Sequence, residues 1–332
     1  MELALVWLII IGFIIIMYIL LDGFTLGVGL LFALIHEDDE RTIMLSSILP
    51  VWDGNETWLV FAGASLYGGF PLAFSTLFPL WYIPVMLMIF GLLLRGISFE
   101  FRLKAKRTKH IWDLCIFSGS LMAIIAQGLI IGSFVSGFYL DPQTQQILPN
   151  QPILSWFSFF CSIALVVGYT LLGAARLIKK TRDEFQTKFY NISLKLQWLL
   201  MLAIIFVGIY SPDNIRLNMN YWFNLKHTLT MLIFTIIVVI LFVIHAIGLK
   251  KRIERVPFMS LVTIFIVSYL ALIIGKLPYI VPNQLTFMQA KADDGALLFM
   301  LIGASILIPI LLLYTAYAYK VFGGKVDEKI GY

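Results

Sequence analysis

Charged residues are scarce in this chain: they make up 13% of its 332 residues, whereas 60% are hydrophobic. A soluble globular domain has about a quarter charged and about half apolar residues. The mean hydropathy of +0.92 is therefore too high for a chain that folds in water. The surplus apolar surface must face lipid, and the net charge of +5 is spread over short segments between apolar runs. This pattern excludes a soluble enzyme and argues against nucleic acid as a partner.

Cysteine is equally rare. Cys115 and Cys161 are far apart, each lies within an apolar run, and neither belongs to a CxxC pattern. A disulfide framework or a thiolate metal site is therefore not predicted, and we interpret both residues as small hydrophobic side chains.

Histidine, the commonest haem ligand, occurs only four times. His36 and His110 fall in polar connections, while His227 and His245 occupy opposite ends of one predicted helix. A haem needs ligands at matched depths on facing helices. The sequence therefore predicts no haem, metal or other redox centre bound by this chain alone.

Long apolar runs are what the chain does have. Nine of them approach or exceed the roughly 20 residues that cross the hydrocarbon core of a membrane. Their bounds are about Leu3–Ala33, Ser46–Tyr67, Ala73–Ile97, Leu114–Gly137, Pro152–Ile178, Ile192–Tyr210, Lys226–Ala246, Phe258–Tyr279 and Ala296–Lys320. Backbone groups in lipid must bond within their own segment. The predicted fold is an all-α integral membrane protein of about nine transmembrane helices, with residues 1–332 forming a single polytopic membrane domain.

Basic residues fall mainly in alternate connections, which predicts the orientation of the chain. If the amino terminus is outside the cell, the odd-numbered connections and the tail lie in the cytoplasm. These segments contain Arg41, Arg102, Lys104, Lys106, Arg107, Lys109, Lys179, Lys180, Arg182, Lys188, Lys250, Lys251, Arg252, Arg255, Lys320, Lys325 and Lys329. The outer connections and adjacent helix ends contain Arg216, Lys226, Lys276 and Lys291. We therefore predict an outer amino terminus and a cytoplasmic carboxyl terminus.

A few ionisable residues interrupt the predicted helices, and such residues usually face a protein interior or a water-filled path. Asp22 lies in the first helix, Asp53 and Glu56 in the second, and Arg95 and Glu100 near the inner end of the third. With the second helix starting near Leu45, Asp22, Asp53 and Arg95 are predicted at related depths on adjacent helices. Carboxylates with an intervening cation favour a path for protons or cations from the cytoplasm.

Other interpretations of the same residues remain open. Asp22 and Asp53 could serve only as buried hydrogen-bonding partners that fix helix packing, in a structural subunit. They could instead couple protons or sodium ions to a substrate in a secondary transporter, although no paired repeat is evident. Gln127, in the fourth helix, is expected at most to bond across helices and receives no function.

Three motifs resemble subunit II of the cytochrome bd family of quinol oxidases. The first is Leu21–Phe24 followed by Gly27–Gly29, and the second is Trp52–Leu59, with Trp52, Gly54, Asn55 and Trp58 as supporting residues. The third is Arg95–Arg102, whose arginine–glycine form is similar to the cyanide-insensitive branch. The run Pro309–Tyr317 closes the chain as in that family.

The resemblance implies two four-helix bundles plus one peripheral helix, in a bacterial cell (inner) membrane. It implies a heterodimer with a subunit I that carries two b-type haems and one d-type haem. Ubiquinol or menaquinol is oxidised there, and oxygen is reduced to water with protons from the cytoplasm. Small single-helix subunits, membrane lipid and a structural quinone are further expected partners.

The resemblance also associates acidic residues at the positions of Asp22 and Asp53 with a proton path. Two neighbours depart from the family pattern: Thr25 stands where other members can have an acidic residue, and Val51 where some have histidine. These departures affect how the path is connected in this chain.

Overall fold

The computed structural model describes residues 2–210 and 225–326. Within these ranges the helices are α1 (Glu2–Leu31), α2 (Asp38–Ile48), α3 (Trp52–Gly69), α4 (Pro71–Leu80), α5 (Tyr82–Lys104), α6 (Lys109–Ser136), α7 (Trp156–Lys180), α8 (Asp183–Tyr210), α9 (Leu225–Lys250), α10 (Arg255–Lys276), α11 (Phe287–Ala290) and α12 (Asp294–Val321). Arg216, Lys329 and the side chain of Lys226 lie outside the described part of the chain, so their predicted positions stay predictions.

Two short antiparallel hairpins complete the described structure. Strand β1 (Phe138–Leu140) pairs with β2 (Ile147–Pro149), with Phe138 opposite Pro149, and β3 (Tyr279–Val281) pairs with β4 (Leu285–Thr286). Each hairpin lies in a connection between two long helices.

The all-α integral membrane fold is confirmed. Eight helices in the described ranges are long and apolar enough to cross a membrane, namely α1, α5, α6, α7, α8, α9, α10 and α12. The remaining predicted span corresponds to α3, which has 18 residues and a polar first turn. The first helix, with 30 residues, is about 45 Å long at 1.5 Å per residue, so it exceeds the hydrocarbon thickness as predicted.

Two predicted spans start at the wrong residue, and prolines explain both errors. The second was predicted from Ser46, but Pro50 separates α2 from α3, which begins at Trp52. The third was predicted from Ala73, but α4 is a separate short helix, and α5 begins at Tyr82 with Pro84 in its first turn. Proline has no N–H, so it cannot continue the hydrogen-bond ladder of a preceding helix.

The long helices form two groups of four. In the first group α5 packs on α6, and α6 and α3 pack on α1; in the second, α7 packs with α8 and α10, while α9 packs on α8 and α10. Helix α12 packs on α3 and α1 at the periphery. This is the arrangement of two four-helix bundles and one extra helix that the resemblance implies. The largest buried apolar cluster lies where α1, α2, α7 and α10 meet.

Helices α1 and α7 join the two bundles with their backbones in close contact. A Cβ atom on Gly27 would lie 1.7 Å from the carbonyl oxygen of Tyr169, and one on Gly173 would lie 2.6 Å from the carbonyl carbon of Gly27. Helix α6 approaches α7 in the same way, since a Cβ on Gly128 would lie 2.2 Å from the Cα of Ser162. Small residues at such crossings let membrane helices pack backbone to backbone.

An ion-pair network ties α2 to the ends of α5 and α6, and we call this end of the molecule the α2 end. Asp113 pairs with Arg102 and, at 2.8 Å, with Arg41, while Asp38 lies 2.9 Å from Arg102 and 2.7 Å from Lys109. The hydrogen bond from Lys109 lowers the pKa of the Asp38 carboxyl, with Arg102 acting in the same direction. Helix α2 is therefore held across the end of the first bundle.

The chain segment after α12 is tied to the second bundle at the same end. Lys180 donates hydrogen bonds to the carbonyl oxygens of Phe322 and Gly324. Lys325 donates to the carbonyl oxygen of Thr181 at 2.8 Å and to Glu254 Oε1 at 2.6 Å. The carboxyl-terminal segment thus links α12, which packs on the first bundle, to the connections of the second.

We expect Glu254→Gln to lower the thermal unfolding temperature by less than about 3 °C near neutral pH. Lys325 and Gln186 donate hydrogen bonds to Glu254 and lower its pKa below the ordinary value of 4.5. The ionised carboxylate therefore stabilises the folded chain above that value, and the contribution is lost as the pH falls through the lowered pKa. Thermal unfolding of wild type and variant at neutral and acidic pH measures this; an equal difference at both would contradict it.

Candidate functional site

Three charged side chains meet where α1, α3 and α5 approach one another, and we call them the carboxylate–arginine cluster. Arg95 Nη2 lies 2.9 Å from Asp22 Oδ1 and 2.5 Å from Glu56 Oε1, so one nitrogen joins both carboxylates. The side chains of Arg95 and Asp22 are fully buried, whereas that of Glu56 is 24% exposed. The structure thus brings together Asp22, Glu56 and Arg95 of the five predicted site residues.

Thr25 contributes a neutral hydroxyl to this cluster. It donates to Asp22 and accepts a hydrogen bond from Arg95 Nη1 at 3.2 Å. The position where family members can carry a further acidic residue is thus occupied here by a group that bonds both the carboxylate and the guanidinium. With threonine at position 25 the three charged side chains still meet, and the cluster has one negative charge fewer than it would have with an acidic residue there.

The charges of the cluster do not balance. One guanidinium faces two carboxylates, so the cluster carries a charge of −1 when both are ionised. A buried net charge is unfavourable, and two nearby carboxylates favour protonation of one of them. The cluster can therefore hold one exchangeable proton.

The motif residues of α3 fix how this helix is rotated against its neighbours. Asn55 Nδ2 donates to the carbonyl oxygen of Leu21 at 2.8 Å, and Asn55 Oδ1 accepts from the Tyr319 hydroxyl at 3.1 Å. Trp58 is fully buried. At Gly54 a Cβ would lie 2.9 Å from a tyrosine ring of α12. These contacts turn Glu56 toward Arg95.

Trp52 likewise fixes how α3 packs against α5. Its ring meets that of Phe99 edge-on, with 5.4 Å between centroids, and a Cβ on Gly96 would lie 2.9 Å from it. Because Gly96 directly follows Arg95, the close approach of Trp52 positions the guanidinium beside α3.

Asp53 and Glu100 are not part of the cluster. Asp53 is exposed in the first turn of α3, where its Oδ1 accepts a hydrogen bond from the amide of Gly54 at 2.8 Å. Because α3 begins at Trp52 rather than near Leu45, Glu56, one turn further along, reaches Arg95 instead. Glu100 is exposed on α5 and is not among the residues that bond Arg95.

Sequence reasoning missed two tyrosines beside the cluster. Gln127 of α6 donates to the Tyr18 hydroxyl at 2.8 Å and accepts from the Tyr169 hydroxyl at 3.0 Å, and all three side chains are buried. The cross-helix bond expected of Gln127 is confirmed. Tyr18 lies one helical turn before Asp22, so a hydroxyl at this spacing in an apolar run was an available signal.

A second buried arginine was also missed. The Arg176 guanidinium carbon lies 5.0 Å from the ring centroid of Phe24, 5.3 Å from that of Tyr319 and 5.7 Å from that of Phe258. No carboxylate among the described residues pairs with it, so the aromatic faces supply its favourable contacts. It lies near the end of the fifth predicted apolar run, Pro152–Ile178.

The described residues contain no group of three or more histidine, cysteine, aspartate or glutamate side chains arranged to hold a metal ion. Cys161 is buried and Cys115 half-buried, and both are free thiols. His36 and His110 are exposed, and His245 Nδ1 lies 3.0 Å from Ser260 Oγ; the side chain of His227 is outside the described part.

Comparison with known proteins decides the family. A family model described as cytochrome bd terminal oxidase subunit II matches residues 3–322. The chain belongs to this family. Subunit 2 of the cytochrome bd-I ubiquinol oxidase of Escherichia coli (strain K12) is 26% identical over 362 aligned positions, which cover 98% of this chain and 96% of that protein. Subunit 2 of the cytochrome bd ubiquinol oxidase of Bacillus subtilis (strain 168) is 23% identical, with 97% and 96% covered.

The fold agrees with a solved structure of the same kind of enzyme. The chain superposes on one chain of the bd oxidase from Geobacillus thermodenitrificans with a TM-score of 0.81, covering 97% of this chain and 99% of that one at 16% identity. The resemblance stated from the motifs is therefore confirmed over nearly the whole length. Membership of the cytochrome bd subunit II family supports the oxidase interpretation and not the transporter.

Proposed function

We propose that this chain is the haem-free subunit II of a cytochrome bd-type quinol:oxygen oxidoreductase and that its carboxylate–arginine cluster takes part in proton uptake. The observation that carries the second part is the buried Arg95 bridging Asp22 and Glu56 with one carboxylate in excess. Reduction of oxygen to water consumes protons, so a subunit with an exchangeable buried proton can supply them. The haems of subunit I, two of type b and one of type d, would supply the redox chemistry.

A gradient of burial supports an entry route from the α2 end. Asp53 is exposed, Glu56 is 24% exposed and Asp22 is fully buried. Asp53 and Glu56 are three residues apart on α3, hence neighbours on its surface. A proton would pass from water to Asp53, then to Glu56, and then to the Asp22–Arg95 pair.

The proposal also includes the orientation of the chain in the membrane, the quinol donor and the other members of the complex. The α2 end faces the cytoplasm, the amino terminus lies outside, and residues 1–332 form one membrane domain in a bacterial inner membrane. Ubiquinol or menaquinol serves as donor to subunit I. Small single-helix subunits, a structural quinone and lipid complete the complex.

We expect Asp22→Asn to lower turnover per haem at least about tenfold in the assembled oxidase, and Glu56→Gln to act likewise. Either change leaves one carboxylate opposite one guanidinium, so the cluster becomes neutral and no longer gains by binding a proton. Oxygen consumption with a saturating quinol, normalised to haem content, is the measurement. Asp53→Asn should slow turnover only a few-fold, because water can reach Glu56 directly.

Glu100→Gln is the matched control, since it makes the same substitution at an exposed carboxylate outside the cluster. Wild-type turnover with full haem content in both Asp22→Asn and Glu56→Gln would remove the cluster from the proton path. Loss of haem and of complex together, with turnover per haem unchanged, would favour the purely structural role instead.

The oxidase assignment has its own test. A reduced-minus-oxidised visible spectrum of the complex, purified through a tag on this chain, should contain b-type and d-type haem bands and a co-purifying larger subunit. A colourless single polypeptide, purified under conditions that preserve complexes, would contradict the assignment.

A further inference from the structure

Arg176, near the end of α7, is a buried cation without an anionic partner. It is 4% exposed, its Nε is buried with no hydrogen-bond partner among the described residues, and no described carboxylate pairs with it. A guanidinium is always charged and has five N–H donors, and burying such a group unpaired is costly. The entry route described above does not use this residue. Its surroundings therefore deserve the question of which anion it would bind.

The aromatic rings around Arg176 compensate its charge but not its donors. Phe24, Tyr319 and Phe258 come from α1, α12 and α10, and their ring centroids lie 5.0, 5.3 and 5.7 Å from the guanidinium carbon. A ring face attracts a cation, yet it accepts an N–H hydrogen bond only weakly. The Tyr319 hydroxyl, for its part, donates to Asn55 at 3.1 Å. The N–H groups of Arg176 thus remain available to an acceptor from outside the chain.

The three rings line a cleft between α10 and α12. Both helices pack on α1 but make scarcely any direct contact with each other. Phe24 of α1 lies between them: its ring meets Phe258 of α10 and Tyr319 of α12 edge-on, each at 6.1 Å between centroids. The cleft therefore has aromatic walls and an aromatic floor, with the guanidinium beside them.

The depth of Arg176 suits the headgroup region of a membrane. It precedes Lys180, the last residue of α7, by four residues, which is about 6 Å at 1.5 Å per residue. Large apolar side chains next to the cleft residues along the chain are exposed, namely Met259 after Phe258 and Phe322 after the end of α12. A lipid with its headgroup at this level would place its acyl chains against apolar surface.

Further positive charge surrounds the cleft. Lys179 and Lys180 follow Arg176 by three and four residues, so they lie on the same side of α7. Lys180 is buried and donates to two backbone carbonyl oxygens of the segment after α12. Arg255 begins α10 three residues before Phe258, and neither it nor Lys179 forms an ion pair with a described carboxylate. An anion entering the cleft would therefore meet cations from two helices.

We propose that the cleft between α10 and α12 binds the phosphate headgroup of an anionic membrane lipid, with Arg176 donating to the phosphate oxygens and with Lys179 and Arg255 at the rim. Guanidinium groups bind phosphate with two parallel N–H···O bonds, and basic pockets between membrane helices on the cytoplasmic side take anionic headgroups. The inference is independent of the proton path. From the proposed function it takes only the orientation of the chain and the assembled complex.

The experiment is a titration of the assembled, delipidated oxidase with phosphatidylglycerol, in which native mass spectrometry counts the bound lipid molecules. Arg176→Gln should lose one tightly bound phosphatidylglycerol, with at least about tenfold weaker binding at that site, because charge-assisted hydrogen bonds to the phosphate are removed. Lys179→Gln should weaken the same site about fivefold. Arg107→Gln is the matched control: it makes the same substitution at an exposed arginine between α5 and α6 and should bind lipid as wild type does.

Two further titrations of the wild-type complex identify the ligand. Phosphatidylcholine, whose headgroup carries a compensating positive charge, should bind more weakly than phosphatidylglycerol; equal binding would overturn the role of charge. Excess inorganic phosphate should leave the bound lipid in place, and displacement would show that the site takes the free ion, which overturns the lipid assignment.

Equal number and affinity of bound phosphatidylglycerol in wild type and Arg176→Gln would overturn the inference outright. Should Arg176→Gln not assemble, Lys179→Gln decides instead, because its side chain is only half-buried, and unchanged binding there overturns the inference as well. The haem content of each preparation, measured alongside, tests the oxidase assignment separately, so a failure of that assignment is distinguishable from a failure of the lipid site.

Discussion

Replacing Arg95 with glutamine is expected to reduce the yield of assembled, haem-containing oxidase more than any other single charge removal in this chain. The fully buried guanidinium bridges Asp22 and Glu56. Without it, two carboxylates face each other with no cation, and breaking a buried ion pair in this way destabilises by about 3–5 kcal/mol. Complex yield, haem content per protein and thermal stability after detergent extraction are the measurements.

Two further variants identify the cause of that loss. Arg107→Gln makes the same substitution at an exposed arginine and should assemble as wild type. The triple variant Asp22→Asn, Glu56→Gln, Arg95→Gln has no charge in the cluster, so it should recover most of the yield while turning over slowly. A triple variant as poorly assembled as Arg95→Gln would show that the shape of the arginine, not its charge, supports the fold.

Gly27→Ala should also prevent assembly, although it adds a single methyl group. That methyl would lie 1.7 Å from the backbone carbonyl oxygen of Tyr169, a distance that no rotation of a side chain relieves. Helices α1 and α7 would have to separate, and the contacts between the two bundles would open with them. We expect the variant to be recovered at less than about a tenth of the wild-type yield.

Gly63→Ala is the control for this effect, because α3 has open space where its methyl group would lie. It should express and assemble as wild type. Normal assembly of Gly27→Ala would mean that the bundles tolerate a wider crossing than the structure contains, and the account of how they are joined would then be wrong.

The sequence was sufficient for the nature of the membrane helices, and for eight of the nine predicted spans, because lipid imposes a minimum apolar length on every span. It also singled out Asp22 and Arg95, since a charge in an apolar run is costly enough to imply a partner. The helix starts at Trp52 and Tyr82 were missed because a proline within an apolar run leaves the average hydropathy almost unchanged. A proline disfavours continuation of the helix through its missing N–H donor and the clash of its ring with the preceding turn, and neither effect changes the hydropathy.

That buried charges meet in a cluster could be predicted from the sequence, but which residues form the carboxylate–arginine cluster was harder to predict. Asp53 and Glu56 lie in the same turn, and which of them faces inward depends on the rotation of α3. Contacts of Asn55 with Leu21 and Tyr319, residues distant in the sequence, set that rotation. The partners of Gln127 posed the same difficulty, since a buried amide indicates that a bond exists without naming the residues that complete it.

The close crossing of α1 and α7 limits how the two bundles can move against each other. Alternating access requires two halves that rock against each other around a central site. Here the halves meet at Gly27 and Gly173 with backbone against backbone, and α6 is locked to α7 at Gly128, so neither half has a surface on which to slide. In the proposed proton path, a proton on Asp22 would therefore leave by transfer to a neighbouring group, not by exposure to the other side. The two bundles are thus joined as one rigid unit at the crossing of α1 and α7.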